Sequence, residues 1–462
     1  MPAIITKDFR IQNANQFSES FGESADTYYL AIGRPQAFAD NQAFNDGTDT
    51  SPPTPVDSVG SVDYYVYDDL LSAKKISSSN VSAVIPRRNW TTGTTYDYYR
   101  HDYGEINSAG TVIAANSGAT TLHDATFYVM NSTFDVYKVI DNNGDSASTV
   151  EPTGNKSTSV FSTGDSYKWK YMYSLSASEQ ANFLSTDFMH VSTESTDYST
   201  TAGAIENAKV TAGGSGGTNG TYTNVDIRGD GSSGKATVVV GSNAVTSVTI
   251  TTAGSGYTFA SVLASDIGGV SGADIDFIIS PPGGHASDAV AELGGFFVMM
   301  NVDFATSESG EFNTSNDFRR IALLRNPTDS TTGSTATAST LDATKSMTFS
   351  GTPGSFQADE KITQASTGAV GFVVDFNSTT KVLRYIQPQF TNQGVDSNGN
   401  LTAFSSTNTV TGATSSATGT PSSHDITPEL TADSGDILYI ENRKPISRAS
   451  DQTENVKLIV EF

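Results

Sequence analysis

The 462 residues carry 26 Lys and Arg against 50 Asp and Glu, a formal charge of −24, with no cysteine. This balance opposes binding to nucleic acid or docking on an anionic membrane, since both surfaces must be met by Lys and Arg. The missing thiols exclude disulfides, thiolate nucleophiles, iron–sulfur clusters and thiolate zinc sites.

The N-terminal MPAIITKDFR lacks the apolar core of a signal peptide, which predicts synthesis without classical secretion. Asn13 to Phe21 places Ala14, Phe17 and Phe21 at helical spacing and predicts a short helix. Tyr28 to Gly33 reads as a strand, Asn45 to Ser61 as a proline-bearing loop, Tyr64 to Ile76 as a short helix and Val81 to Ile85 as a strand. The aromatic cluster Tyr96, Tyr98, Tyr99 and Tyr103 follows.

Phe127–Val129 and Val136–Ile140 are apolar runs on either side of the turn-prone NSTFD, a hairpin pattern that ends at Asp141-Asn142-Asn143-Gly144-Asp145. Tyr167 to Tyr173 then alternates strictly. Tyr167, Trp169, Tyr171 and Tyr173 share one face, and Lys168, Lys170 and Met172 share the other. This predicts a half-buried antiparallel strand with its aromatic face in a core or a subunit contact. Ser176 and Glu179 form a capping box that opens a helix reaching about Leu184.

Composition shifts near Ser192. From Ile205 to Ser280 the chain is rich in Gly, Ser, Thr and Val and repeats itself, with Tyr222-Thr223 and Tyr257-Thr258 in equivalent places 35 residues apart. Two such units predict one small inserted β module. The longest apolar run, Gly294 to Val302, is too short to span a bilayer. Phe296–Phe304 and Arg319–Arg325 read as strands and Ser330–Thr340 as a low-complexity linker. Met347 to Pro388 reads as a second β insertion with a hairpin of Val370–Phe376 and Val382–Ile386, Val395 to Ser423 as loop, and Asp436–Asn442 and Val456–Phe462 as closing strands. The basic Lys444-Pro445-Ile446-Ser447-Arg448 segment fits either a solvated loop or a contact with an acidic patch.

Several motifs imitate functional sites, and each lacks a part its chemistry requires. Gly229 to Lys235 has P-loop spacing, but Ala236 stands where a magnesium-binding hydroxyl belongs and a valine strand replaces the helix. Asp141, Asn143 and Asp145 begin like a calcium loop, yet Ser146 and Pro152 occupy the positions of its Gly and Glu. Arg228-Gly229-Asp230 spells an adhesion tripeptide inside a glycine turn. His101, His123, His190, His285 and His424 show no metal spacing, and no G-x-S-x-G elbow occurs. A carboxylate pair of the glycosidase kind is not identifiable from spacing alone. No catalytic, cofactor-binding or metal residues are assigned, no cofactor is expected, and the chain is read as a non-enzyme.

FYVMNSTFDVYKVIDNNGDSASTVEPTG from Phe127 and YKWKYMYSLSASEQANFL from Tyr167 closely resemble the baseplate wedge protein of T-even-type contractile-tailed phages that neighbours the short tail fibres. YYLAIGRPQAF, IPRRNW, GGHASDAVAELGGFFVMMNVDF, NDFRRIALLRNP and KPISRASDQTENVKLIVEF fit the same family. The resemblance implies a structural virion protein located in the tail baseplate and synthesised in the host cytoplasm. It would form a homodimer that touches other wedge proteins and the short tail fibres, with neither nucleic acid nor membrane as partner. Glycine-rich Tyr-Thr modules imply a marine, cyanophage-like myovirus. The expected fold is mainly β: a multi-domain antiparallel β-sandwich-like main fold over 1–200, 283–330 and 425–462, with a few short helices. Small β modules are inserted at 201–282 and 331–424. The rival readings are a carbohydrate-binding receptor-recognition tail protein, using Tyr98, Tyr99 or Trp169, and a polysaccharide depolymerase.

Overall fold

Short runs of β-branched and aromatic residues, broken by Gly, Asn and Pro, favour extended segments over helices, and the chain is mainly β. The computed structural model describes residues 6–38, 47–55, 66–107, 110–154, 156–191, 198–308, 312–388, 394–398 and 400–462. Elements begin with α1 (Lys7–Ser20), β1 (Tyr28–Gly33), β2 (Leu70–Ile76), β3 (Val81–Pro86), β4 (Tyr128–Met130), β5 (Asp135–Asp141), β6 (Phe161–Ser162), β7 (Lys168–Ser174), α2 (Ala177–Phe183) and β8 (Phe188–His190). The glycine-rich stretch holds β9 (Ile205–Ser215), β10 (Gly220–Asp226), β11 (Arg228–Gly229), β12 (Lys235–Gly241), β13 (Ala244–Thr252), β14 (Ala260–Ser261) and β15 (Ser271–Ile279). Next come α3 (Ala289–Leu293), β16 (Phe297–Ala305), β17 (Phe318–Arg325), β18 (Thr328–Asp329), β19 (Ser334–Thr335), β20 (Thr340–Asp342), β21 (Lys345–Phe349), β22 (Lys361–Gln364), β23 (Ala369–Asn377) and β24 (Val382–Ile386). The chain ends with β25 (Val410–Gly412), β26 (Thr418–Gly419), β27 (Pro421–Asp425), β28 (Asp436–Ile446) and β29 (Thr453–Glu461).

The chain divides into two units. One comprises Met1–Gln16, Ser82–Met299 and Ile459–Phe462, and the other Phe17–Val81 and Met300–Leu458.

In the first unit, β4, β5, β7 and β6 form an antiparallel sheet in that order. The expected hairpin and aromatic strand are therefore present. β7 is not half-buried, however: Lys170 and Met172 on its second face are buried as completely as Trp169. Alternation reports two chemically different faces, and here both are covered. The capping box forms as expected, with Ser176 Oγ accepting from Glu179 N at 3.3 Å and Glu179 Oε2 accepting from Ser176 N at 2.7 Å. In the glycine-rich stretch β12 pairs with β13 and β9 with β15, so each repeat contributes a strand to the other's ladder. The stretch has a hydrophobic cluster of its own, built on Ile205, Val225, Val238, Tyr257, Ile267 and Phe277. Tyr222 and Tyr257 are not structurally equivalent: Tyr222 lies in β10, whereas Tyr257 is a buried loop residue.

The second unit contains a five-stranded sheet, β20–β2–β1–β17–β28, whose central β1 is buried throughout. Leu70–Ile76, expected to be helical, is strand β2, and only Tyr67–Asp69 forms a single 3-10 turn. Pairing with β1 and β20 on either side overrides the local pattern of LLSAKKI. The first helix also starts earlier than its apolar spacing indicates, at Lys7, and ends before Phe21, which packs against Phe17 and Tyr28.

A seven-stranded sheet follows, β26–β25–β22–β23–β24–β21–β27, containing the expected β23–β24 hairpin. Two expectations fail here. Ser330–Thr340 is no linker: β18 and β19 pair and Ala336 is fully buried. Val395–Ser423 supplies β25, β26 and the start of β27. Strands of two or three residues in Thr- and Gly-rich sequence show no periodicity and are recruited by the sheet they join. Parts of the Asn45–Ser61 loop, the Tyr64–Tyr65 start of the expected helix, the Ser192 boundary and residues 1–5 of the N-terminus lie outside the described residues.

Candidate functional site

The strongest concentration of buried charge in the first unit surrounds Lys138. It occupies the middle of β5 between Tyr137 and Val139 and is fully buried. Its ammonium pairs with Glu292 on α3 and lies 4.7 Å from the Tyr99 ring centroid. Glu292 also accepts from the backbone N–H groups of Ala286 (3.1 Å), Ser287 (2.9 Å) and Asp288 (3.2 Å), so one carboxylate holds both the lysine and the turn that opens α3. Burial pushes the Lys138 ammonium down, and the Glu292 carboxylate opposes that shift.

Neighbouring groups show the same conflict between burial and charge. Burial, aided by Lys138, lowers Lys170 to about 8; its Nζ donates to the carbonyls of Ser157 (2.9 Å) and Tyr171 (3.1 Å). Glu206 at the entry to β9 is raised by burial, against the pull of Lys170, Lys138 and Lys168. His285, edge-on to Tyr99 at 4.8 Å, is held well below its ordinary value, first by burial and then by Lys138 and Lys170. These contacts join β5, β7, β9 and α3. The arrangement ties a strand junction together, and Glu206 on one side and Glu292 with Tyr99 on the other also line open clefts.

A second set of contacts was not foreseen. Ser82 Oγ lies 2.6 Å from His190 Nδ1, and His190 Nε2 lies 3.2 Å from Glu179 Oε1. Serine, histidine and carboxylate in a row resemble a nucleophilic triad, but such a serine needs an accessible hydroxyl and donors for an oxyanion. Ser82 is 9% exposed within β3 and also donates to the Ala83 carbonyl at 3.0 Å. Glu179 is engaged in capping α2. The row acts as a polar tie between β3, β8 and α2. Its one signal in the sequence was His190 in an otherwise apolar FMHV run.

The sequence motifs are occupied internally. Asp230 of the Arg-Gly-Asp tripeptide accepts from Thr258 N (2.8 Å) and Thr258 Oγ1 (2.5 Å), which lowers its carboxyl to about 2. Arg228 pairs with Asp266 at 3.2 Å. The glycines of the P-loop-like run make room for a ring: a Cβ at Gly231 would lie 2.4 Å from Tyr257 Cγ, and one at Gly234 2.8 Å from its hydroxyl oxygen. Tyr257 Oη accepts from Gly234 N at 3.1 Å and donates to the Ile227 carbonyl at 2.9 Å. Asp141 pairs with Lys168 at 3.2 Å, and its Oδ1 accepts from Asn143 N at 3.0 Å. Among the described residues no His, Asp and Glu cluster suits a metal ion.

His123 is lowered to about 4, mainly by burial, His101 Nδ1 accepts from Ile279 N at 3.4 Å, and His424 sits in β27 opposite Met347. The aromatic stripe Tyr167, Trp169, Tyr171 and Tyr173 is buried, as are Tyr96, Tyr98 and Tyr99. Arg448 of the C-terminal basic segment is neither solvated nor available to a partner. It is buried, pairs with Glu454 at 2.6 Å and donates to the carbonyls of Phe312 (3.0 Å) and Thr306 (2.6 Å). No helix among the described residues is long and apolar enough to cross a membrane.

Residues 3–147 match the phage family described as Bacteriophage T4, Gp8. Over 218 residues the chain is 27% identical to the baseplate wedge protein gp8 of Enterobacteria phage T4, covering 41% of this chain and 60% of that protein. It thus spans less than two thirds of that relative. The stretches quoted above from beyond residue 147 lie outside the family match. The similarity supports a structural protein of the tail baseplate.

Proposed function

We propose that the chain is a subunit of the tail baseplate wedge in a contractile-tailed phage, where it forms a homodimer and holds wedge proteins together next to the short tail fibres. The match of residues 3–147 to the Gp8 family carries this reading. Its source as a marine, cyanophage-like myovirus is part of the same proposal and rests on the glycine-rich module alone. The glycan-binding alternative loses its chemical basis because Tyr98, Tyr99 and Trp169 are buried. Reconstruction of the phage particle by electron microscopy tests the assignment: density for this chain in the baseplate wedge is expected, and its location in the head or at a fibre tip would overturn it.

The glycine-rich and seven-stranded regions are, in this reading, insertions into a main wedge fold. Ile205 and Ile279 are partners in the β9–β15 ladder, so the chain enters and leaves the first insertion at adjacent strand ends. Replacing 205–279 by a short Gly/Ser bridge should leave a cooperatively folded chain that still joins wedges, because loop closure costs only about 0.6 kcal/mol per doubling of length. Loss of soluble expression would make the module part of the core.

A further inference from the structure

The five-stranded sheet of the second unit has two unlike edges. β20 is three residues long, too short to template another strand, whereas β28 runs eleven residues from Asp436 to Ile446. One side of β28 pairs with β17, and among the described residues its other side has no backbone partner. Leu438 and Tyr439 are 42% and 40% exposed there. Unpaired N–H and C=O groups beside exposed apolar side chains form a template for a further strand. Pro53 lies by one face, its carbonyl accepting from Asn442 Nδ2 at 3.1 Å, without pairing to the β28 backbone.

We propose that β28 is the self-association strand of this protein, pairing antiparallel with β28 of a second copy about a two-fold axis at Ile440. The inference rests on the homodimer reading above and names its surface. Charge order selects the occupant: β28 begins with Asp436, which also pairs with Arg325 of β17 at 2.7 Å, and carries Arg443 and Lys444 near its other end. With the axis at Ile440, Asp436 of each copy faces Lys444 of the other and Tyr439 faces Glu441, so no like charges are opposed. Moving the axis to Glu441 would set that carboxylate against itself, and moving it to Tyr439 would leave Lys444 beyond the partner strand. Pro445, with no N–H to donate, ends the ladder. Ile440 sits in the regular part of the β17 pairing, opposite Ala322.

The chain has no cysteine, so a single introduced thiol reports on this contact alone. Directly opposed residues have Cβ atoms about 4.5–5.5 Å apart. Ile440→Cys in the full chain should therefore give a covalent dimer on mild oxidation, whereas Ser265→Cys on the glycine-rich module should not. Asp436→Lys or Lys444→Asp alone should weaken the dimer at least about tenfold by light scattering, and the double exchange should restore it. Unchanged melting curves would show that the variants fold. A dimer that ignores both charge variants, or cross-links no better at Ile440 than at Ser265, overturns this surface and leaves the homodimer reading intact. A monomer at micromolar concentration overturns both, while wedge membership is judged separately from the particle.

Discussion

The aromatic hairpin sheet and the glycine-rich module are both antiparallel β within the same unit, yet they fill their cores by opposite means. Around β5 and β7 the space is taken by large rings. Tyr128, Tyr137, Tyr167 and Trp169 are fully buried, with Tyr167 stacked on Trp169 at 5.4 Å. In the module Val, Ile and Ala dominate, and Tyr257 is accommodated by missing side chains at Gly231, Gly234 and Gly254. One core depends on what is present and the other on what is absent. Truncation should therefore damage the first most, and enlargement the second.

Trp169→Ala should have the largest effect. The indole is fully buried and its Nε1 donates to Thr163 Oγ1 at 3.0 Å. Removing it should cost about 3–5 kcal/mol and lower the melting temperature steeply. An unchanged melting curve would mean that the rings do not carry this core.

Lys138→Met comes next and contrasts the ion pairs of the two regions. It strands Glu292 as a buried unpaired carboxylate, which costs about 3–5 kcal/mol. The module's Arg228–Asp266 pair has side chains 50% and 33% exposed, so Arg228→Ala should change stability by about 0–1 kcal/mol. Denaturant titration of both variants tests the contrast, and equal losses would refute it.

Gly231→Ala should cost about 1–3 kcal/mol through overpacking against Tyr257. The loss should be local. Hydrogen exchange is expected to accelerate in β11–β14 while amides of β5 and β7 keep their protection. Acceleration in both regions would show that the module and the hairpin sheet unfold together.

The contrast between the cores was only partly visible in the sequence. The hairpin, β7, α2 and the β9–β15 repeat followed from turn chemistry, period-two alternation, a capping box and self-similarity, all of which act over a few residues. What was missed depends on distant partners. Leu70–Ile76 is a strand because β1 and β20 flank it, and β25 and β26 exist only as additions to a sheet. Lys138 went unremarked inside the Val136–Ile140 run, because its partner Glu292 is 154 residues away and no local pattern joins them. Ser82 and His190, 108 residues apart, were hidden for the same reason. The glycines around Tyr257 looked like turn residues, although a close ring approach also requires them.

Acidification separates the regions most cleanly. Residues 205–280 contain no histidine, whereas His123, His190 and His285 lie around the aromatic sheet, all with depressed values caused first by burial. A histidine depressed on folding is neutral in the native chain and binds a proton on unfolding below its ordinary value of about 6.5. The unfolded state then holds more protons, so stability is complete above that pH and declines as pH falls toward the native values. The decline is bounded at about 1.4 kcal/mol per unit of depression for each histidine. Three module carboxylates add no such loss between pH 7 and 5: Asp230 is lowered to about 2 by Thr258, Asp226 is lowered by Lys235, and Glu206 is raised by burial, which favours the native state as pH falls. Between pH 7 and 5, amides of β5 and β7 should lose exchange protection after correction for intrinsic rates, and those of β12 and β13 should keep theirs. His123→Phe should flatten the dependence, because the ring packs against Phe296 at 5.8 Å and its Nε2 has no hydrogen-bond partner among the described residues. Equal loss of protection in both regions would place the pH response in carboxylates common to the whole chain, and the two cores would then differ in packing alone.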